Sequence, residues 1–232
     1  MDGQPTTQGT TAPAVWDLGA IYRAIAELLL SPAERDMERV NRDLGRLPDG
    51  AVRDCIERFL ASSAAFSVEE YTQTLELQPP CPLYLGAYIY EEPTSCRGAG
   101  ACGRNGYMIE LGALYEHFGF ALGGGELADF VPAMTEFLAV SLEHPERDGI
   151  GLRRRFVEKY VHPGLQPLRE KLQKYESVFD LLVEALEMAV NEDLERLADD
   201  PVWISPEVKV TIPKPSERMR AHDITMTGME QK

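Results

Sequence analysis

Three cysteines, a glycine motif and a group of tyrosines lie close together in the stretch CPLYLGAYIYEEPTSCRGAGACGRNGY, residues 81–107. Cysteine thiolates at short spacing can hold a metal ion, and glycines spaced as G-x-G-x-x-G can form a phosphate-binding loop. Aromatic side chains, in contrast, suit an apolar groove for a peptide. The stretch therefore offers three kinds of site, and the elements around it discriminate among them.

The glycine motif consists of Gly98, Gly100 and Gly103. A dinucleotide-binding loop of this spacing must follow a β-strand directly and open a helix within a βαβ unit. Here Glu91, Glu92 and Pro93 separate the nearest strand-like segment from the glycines, and the rest of the chain offers no parallel strands. A nucleotide-dependent enzyme is therefore the weakest of the three interpretations.

Cys96 and Cys102 are separated by five residues, and Cys81 could supply a third thiolate. Zinc sites usually place paired cysteines two to four residues apart and repeat the pair or add histidines. The four histidines of this chain offer no partner at ligand spacing. Free thiols in a loop are the simpler interpretation, and a thiol-based metal or cofactor carrier remains open as an alternative.

Other catalytic motifs are missing from the sequence. It contains no G-x-S-x-G, H-E-x-x-H or C-x-x-C pattern, so no catalytic residue is predicted and we expect no enzyme. The three consecutive arginines at 153–155 lie between Asp148 and Glu158. Mixed charges of this kind predict a solvated helix face.

The tyrosines form the densest aromatic cluster. Tyr84, Tyr88 and Tyr90 alternate with leucine and isoleucine between Pro82 and Pro93. Tyr84 and Tyr88 are four residues apart and would share one face of a helix. Core packing explains any single ring, but a dense cluster beside a loop fits a groove for an apolar peptide.

Composition predicts a soluble globular protein. The 232 residues are 44% hydrophobic and 26% charged, with a net charge of −15. Phosphate binding requires a basic surface, so this charge argues against nucleic acid as a partner. No apolar run approaches the roughly 18 residues that a membrane helix needs, and residues 1–14 lack the features of a secretory signal. We therefore expect a cytoplasmic protein with reduced thiols and no membrane insertion.

Apolar residues recur at helical spacing through most of the chain, as from Trp16 to Leu30. One helix is expected over residues 145–160 and another over residues 177–197. Capping boxes, other capping side chains and first-turn prolines predict further helix starts. These predicted starts are at Ser31, Asp49, Ser67, Asn105, Asp129 and Pro167, and Gly119 is predicted to end the helix that begins at Asn105.

The predicted fold is therefore all-α. Residues 1–14 are expected to be a disordered lead, residues 15–198 a single helical domain, and residues 199–232 an extended tail with four prolines and no helical period.

The order of these elements resembles the NarJ/TorD/DmsD family, the cytoplasmic assembly chaperones of molybdenum-cofactor oxidoreductases. The resemblance extends over about residues 16–197 and is strongest to the chaperones of nitrate reductase and of the related selenate, chlorate, dimethylsulfide and ethylbenzene enzymes. The segments that carry it are YTQTLEL (71–77), CPLYLGAYIYEEP (81–93), GYMIELGALYEHFGFAL (106–122), ELADFVPAMTEFLA (126–139) and YESVFDLLVEAL (175–186).

The most diagnostic segment is ELADFVP, which is similar to the family pattern E-x-P-D-H-(L/I)-P. Glu126, Asp129 and Pro132 match that pattern. Ala128 and Phe130 stand where the family has proline and histidine.

The resemblance implies a helical-bundle domain of the TorD-like chaperone type. Such proteins bind the N-terminal peptide of an apo catalytic subunit, often its twin-arginine export signal, until the molybdenum cofactor is inserted. The cofactor belongs to the client enzyme, so the chaperone itself is expected to hold none permanently. Cofactor-biosynthesis proteins are further expected partners.

A peptide with a basic end and an apolar stretch requires negative charge beside an apolar groove. We therefore expect Tyr84 and Tyr88 to line the groove and Glu126 and Asp129 to meet the basic end. Asp129 could instead cap the following helix. The predicted peptide-binding residues are Tyr84, Tyr88, Tyr115, Glu126, Asp129, Phe130 and Pro132.

Overall fold

A computed structural model of the chain describes residues 16–77, 79–90, 103–148 and 151–204. These residues form helices and no β-strand, and they surround one hydrophobic core, which confirms the all-α prediction. The α-helices of this part of the chain are α1 (Leu18–Leu28), α2 (Met37–Leu44), α3 (Ala51–Leu60), α4 (Val68–Tyr71), α5 (Gly86–Ile89), α6 (Gly103–Phe118), α7 (Val131–Glu143), α8 (Leu152–Arg155), α9 (His162–Lys174) and α10 (Asp180–Arg196).

Helix α1 lies at the centre of the bundle and packs against α2, α7 and α10. Its apolar side chains are almost fully buried, and the leucines and isoleucines among them each contribute roughly 1.5–3 kcal/mol to folding through burial. Asp17 caps the helix by accepting a hydrogen bond from the backbone N–H of Ala20 at 3.0 Å. The predicted helix over Trp16 to Leu30 is confirmed within two residues at each end.

Helix α10 carries the predicted apolar stripe, with Leu182, Leu186 and Ala189 fully buried. It packs on α3, α9 and α1. The expected helix over residues 177–197 begins at Asp180, three residues late, because Ser177 and the following turn precede it.

The Ser31 capping box is wrong as a helix start. The backbone N–H of Glu34 does bond to the carbonyl of Ser31 at 2.8 Å, but the chain forms only a turn there. Helix α2 begins at Met37, because Asp36 caps it through the backbone N–H of Arg39 at 3.0 Å.

Two other starts differ from prediction, and two boundaries agree with it. Gly50 precedes α3 in place of Asp49, and α6 begins two residues before Asn105. Ser67 Oγ accepts from the backbone N–H of Glu70 at 3.1 Å, as the capping box predicted. Gly119 ends α6 with φ of +71°, a conformation that favours glycine.

The expected single helix over residues 145–160 is interrupted. Pro145–Arg147 forms a 3-10 turn, and α8 then runs into the π-helical turn Phe156–Val161. Pro167 does not begin a helix but lies inside α9. Pro163 takes the first-turn position there that the sequence suggested for Pro167.

The arginines at 153–155 do not form a uniformly solvated face. Arg153 is buried and pairs with Asp193, with Nη1 and Oδ1 2.8 Å apart. Its Nε donates to Ser141 Oγ at 3.1 Å, and the Tyr22 hydroxyl donates to Asp193 Oδ2 at 2.7 Å. This buried group, here called the Arg153 network, ties α1, α7, α8 and α10 together.

Several predictions fall outside the described residues. They concern the lead over residues 1–14, the glycines at 98 and 100, Cys96, Cys102, and the tail beyond residue 204. In the ranges that the structure covers, no helix combines the length and the apolar character needed to span a membrane.

Candidate peptide-binding groove

An open groove of about 590 Å³ lies between α1, the end of α4, the connection over residues 119–130 and the start of α7. We call it the acidic groove. It is lined by Arg23, Ala26, Glu27, Leu30, Glu34, Arg39, Tyr71, Glu76, Phe120, Ala121, Leu122, Gly123, Glu126, Phe130, Pro132, Ala133 and Glu136.

About half of this lining is apolar or aromatic. Phe120 is fixed from behind by edge contacts with the rings of Tyr115 at 5.2 Å and Phe137 at 5.6 Å. Phe130 lies against Tyr84, with ring centroids 5.5 Å apart. Both phenylalanines are therefore held in place by aromatic neighbours, and they give the groove an apolar wall.

The charged lining is mainly negative. Five glutamates face two arginines, which leaves three negative charges on the groove. Arg39 is shared between Glu27 at 3.5 Å and Glu136 at 3.3 Å. Glu34 and Glu76 are exposed and form no ion pair with the described part of the chain. Two carboxylates are thus available to a basic partner.

The negative potential also acts on two tyrosines. Burial raises the pKa of Tyr71, and the charges of Glu76 and Glu34 raise it further. Burial raises the pKa of Tyr84 to about 12, together with its hydrogen bond to Glu126 and the charge of that carboxylate. Both phenols therefore remain neutral at physiological pH. Tyr71 lines the groove and donates its hydroxyl to the carbonyl of Leu29 at 3.3 Å. Tyr84, which was expected to line the groove, is not a lining residue and supports Glu126 and Phe130 instead.

Glu126 is oriented by its neighbours. Its Oε1 accepts from the Tyr84 hydroxyl at 3.0 Å and from the backbone N–H of Leu127 at 2.9 Å. Tyr84 and Phe130 form an isolated antiparallel bridge. In that bridge the N–H of Leu85 donates to the carbonyl of Asp129 at 3.0 Å. This pairing brings together three of the predicted site residues, Tyr84, Glu126 and Phe130, from separate parts of the sequence.

Asp129 lies beneath the groove and does not line it. Its carboxylate is fully buried, and Oδ2 accepts from the N–H of Gly86 at 3.1 Å and from Arg104 Nη2 at 2.9 Å. Phe130 occupies the N-cap position of α7, and no side chain caps that helix, so the capping role considered for Asp129 is wrong. A Cβ at Gly86 would lie 2.5 Å from Asp129 Oδ2, so this close approach requires glycine.

Tyr88 and Tyr115 also lie outside the groove lining. The Tyr88 hydroxyl is buried and has no hydrogen-bond partner in the described part of the chain. Tyr115 is buried on α6 and donates to the carbonyl of Ala128 at 2.7 Å. Tyr115 therefore braces the connection that carries Glu126, whereas Pro132 reaches the groove itself from the first turn of α7.

Sequence reasoning missed Glu34, Glu76 and the Arg39 pairs. The capping box that begins at Ser31 explains Glu34 as a capping residue, and Glu76 lies in the segment YTQTLEL without a predicted role of its own. They come together only because α1, α4 and the connection before α7 converge, and no spacing along the sequence encodes that convergence.

Only one of the three candidate thiols can be placed. Cys81 is fully buried, and burial raises the pKa of its thiol, which disfavours the thiolate that a metal requires. Among the described residues, no group of three or more His, Cys, Asp or Glu side chains has a metal-binding arrangement.

No protein-family model matches the chain, and no curated protein matches it at a significant level.

Proposed function

We propose that this chain is a non-catalytic chaperone whose acidic groove binds a basic and apolar segment of a client protein. The single observation that carries the proposal is a groove of about 590 Å³ with a braced aromatic wall and two unpaired carboxylates. These are the two properties that an N-terminal peptide with adjacent basic and apolar parts would require.

The basic half and the apolar half of such a peptide would contact different parts of the groove. Arginines would pair with Glu34 and Glu76, at the exposed rim of the groove. Apolar residues that follow them would lie against Phe120, Leu122 and Phe130. An exposed ion pair contributes only about 0.2–1 kcal/mol, so useful affinity requires the apolar contacts as well. Binding should weaken as salt screens the charges.

The resemblance to the NarJ/TorD/DmsD chaperones suggests the class of client. We propose that it is the apo catalytic subunit of a molybdenum oxidoreductase, bound through its N-terminal or twin-arginine signal peptide in the cytoplasm before assembly or export. The molybdenum cofactor is then inserted into the client and is not retained by the chaperone. Glu126 and Pro132, which match the family pattern, line the groove and so support this assignment, and Phe130, which departs from the pattern, lines it as well.

The client is tested by purification from the native cell. The tagged full chain should recover a large apo-oxidoreductase under conditions that induce such an enzyme, and deletion of the client's N-terminal segment should abolish recovery. Recovery of no molybdoenzyme subunit under any inducing condition would contradict this assignment. Metal analysis of the same anaerobic preparation separates the thiol-carrier alternative, which requires a stoichiometric metal or cofactor.

A further inference from the structure

The chain beyond Ile204 contains a segment with the character expected of a ligand for the acidic groove. Residues 209–220, KVTIPKPSERMR, carry four basic side chains and one acidic side chain, Glu217, and therefore three net positive charges. Valine, isoleucine and methionine lie between these charges. The segment thus matches the three negative charges and the apolar wall of the groove.

The described part of the chain ends at contacts with α8 and with the residue before it. The backbone N–H of Trp203 donates to the carbonyl of Gly151 at 3.4 Å. The Arg155 guanidinium lies 5.0 Å from the centre of the Trp203 ring, and its Nη1 donates to the Trp203 carbonyl at 3.3 Å. Residues up to Trp203 are therefore held against α8 and its continuation.

The tail is long compared with the folded part of the chain. Trp203 lines a second cleft, of about 320 Å³, together with His117 at the end of α6. Phe120, three residues after His117, lines the acidic groove. The sixteen residues from 205 to 220 can span about 55 Å, which exceeds the diameter of roughly 42 Å expected for a compact domain of this size. The chain after Ile204 is therefore long enough for basic residues of the segment to reach the groove of the same molecule.

We propose that residues 209–220 bind in the acidic groove of the same molecule and compete with the client peptide. The regulatory meaning of this contact rests on the proposed function, whereas the contact itself does not. A tethered segment acts at an effective concentration in the millimolar range, so even a weak contact can occupy the groove. Client binding then requires displacement of the segment. The apparent affinity for the client is the intrinsic affinity multiplied by the fraction of molecules whose groove is open.

Zero-length carbodiimide cross-linking of the full chain tests the contact without any client. Lys209 and Lys214 should form amide bonds with Glu34, Glu76 or Glu126, identified by mass spectrometry. A mixture of ¹⁴N- and ¹⁵N-labelled chains separates contact within one molecule from contact between two copies. Mixed-isotope products alone, or links only to carboxylates outside the groove, would overturn the proposal.

Substitution of the basic segment tests the competition. The full-chain variant K209Q/K214Q/R218Q/R220Q should bind an arginine-containing synthetic peptide about ten-fold more tightly than the unaltered chain. The charge-preserving control K209R/K214R/R218K/R220K should bind as the unaltered chain does. Equal affinity for all three proteins would contradict the competition. If none of them binds the peptide while the cross-links still form, the proposed function fails and the contact within the chain stands.

Discussion

The acidic groove and the Arg153 network use the same kinds of charged side chain in opposite ways. In the network, both Asp193 oxygens accept hydrogen bonds from Arg153, and the Tyr22 hydroxyl adds another. In the groove, Glu34 and Glu76 face solvent and pair with no described residue. Burial separates the two regions, since Arg153 and Asp193 are almost inaccessible whereas Glu34 and Glu76 are exposed.

We therefore expect the Arg153 network to contribute to stability and the acidic groove to contribute to binding. Removing one member of a buried pair leaves an uncompensated charge and costs several kcal/mol. Neutralising an exposed carboxylate changes stability by a few tenths of a kcal/mol. Conversely, only the exposed carboxylates are available to a ligand. Substitutions in the two regions should therefore separate stability from affinity.

The largest effect is expected in the Arg153 network. Asp193→Ala should lower the free energy of unfolding by about 3–5 kcal/mol, because the Arg153 guanidinium would remain buried without its partner. Urea denaturation measures this loss. Glu192→Ala, which removes an exposed pair with Arg196, is the control and should cost less than about 1 kcal/mol. Similar losses for both variants would contradict the contrast.

Asp129→Asn should have an intermediate effect on stability, about 1–3 kcal/mol, since a buried acceptor of the Arg104 and Gly86 hydrogen bonds loses its charge. Arg104 is partly exposed, so water can compensate more than it can at Arg153. Asp129 does not line the groove, so the salt dependence of peptide binding should be unchanged. A shallower salt dependence at unchanged stability would instead place Asp129 in contact with the peptide.

The double variant E34Q/E76Q should weaken peptide binding and leave stability unchanged. Its free energy of unfolding should stay within about 0.5 kcal/mol of the unaltered chain. Its affinity for an arginine-containing peptide should fall about 2- to 30-fold, which corresponds to two exposed charge contacts. The control D54N/E195Q neutralises two exposed carboxylates outside the groove and should leave affinity unchanged. An equal loss for both variants would indicate a general effect of net charge.

The smallest effect concerns Glu110, near Trp203. Burial alone would raise the pKa of Glu110, but hydrogen bonds from Lys159, Tyr160 and Arg155 outweigh it and lower the pKa to about 2. The stabilisation is therefore complete above the ordinary pKa of 4.5 and is lost as pH falls toward 2.

Because the Glu110 side chain is nearly half exposed, the loss should be below about 1 kcal/mol. The stability difference between the unaltered chain and Glu110→Gln should shrink from pH 6 to pH 3 in urea titrations. A difference that is constant over this range would show that the Glu110 charge does not contribute.

Local features of the fold could be predicted from the sequence, and long-range pairings could not. The α1 and α10 stripes, the Ser67 cap and the Gly119 helix end depend on residues within a few positions of each other. Arg153 was assigned to a solvated face because its partner, Asp193, lies 40 positions away. Charge sign and periodicity identify helices, but they do not reveal which charges tertiary packing will bury.

The groove shows the same division. Glu126, Phe130 and Pro132 lie within seven residues of each other at the start of α7, and all three line the groove, but their contact with a peptide stays a prediction. Glu34 and Glu76 come from segments that are distant in sequence, so only the packing of the helices brings them to the same groove.

Isothermal titration with two matched synthetic peptides tests the central claim most directly. One peptide has two consecutive arginines followed by about twelve leucines and alanines, and the other has glutamines in place of the arginines. The arginine peptide should bind the full chain about 2- to 30-fold more tightly in 50 mM salt, and the difference should shrink in 500 mM salt as the groove charges are screened. Equal affinities for the two peptides at low salt would contradict the acidic groove as a site for basic, apolar segments.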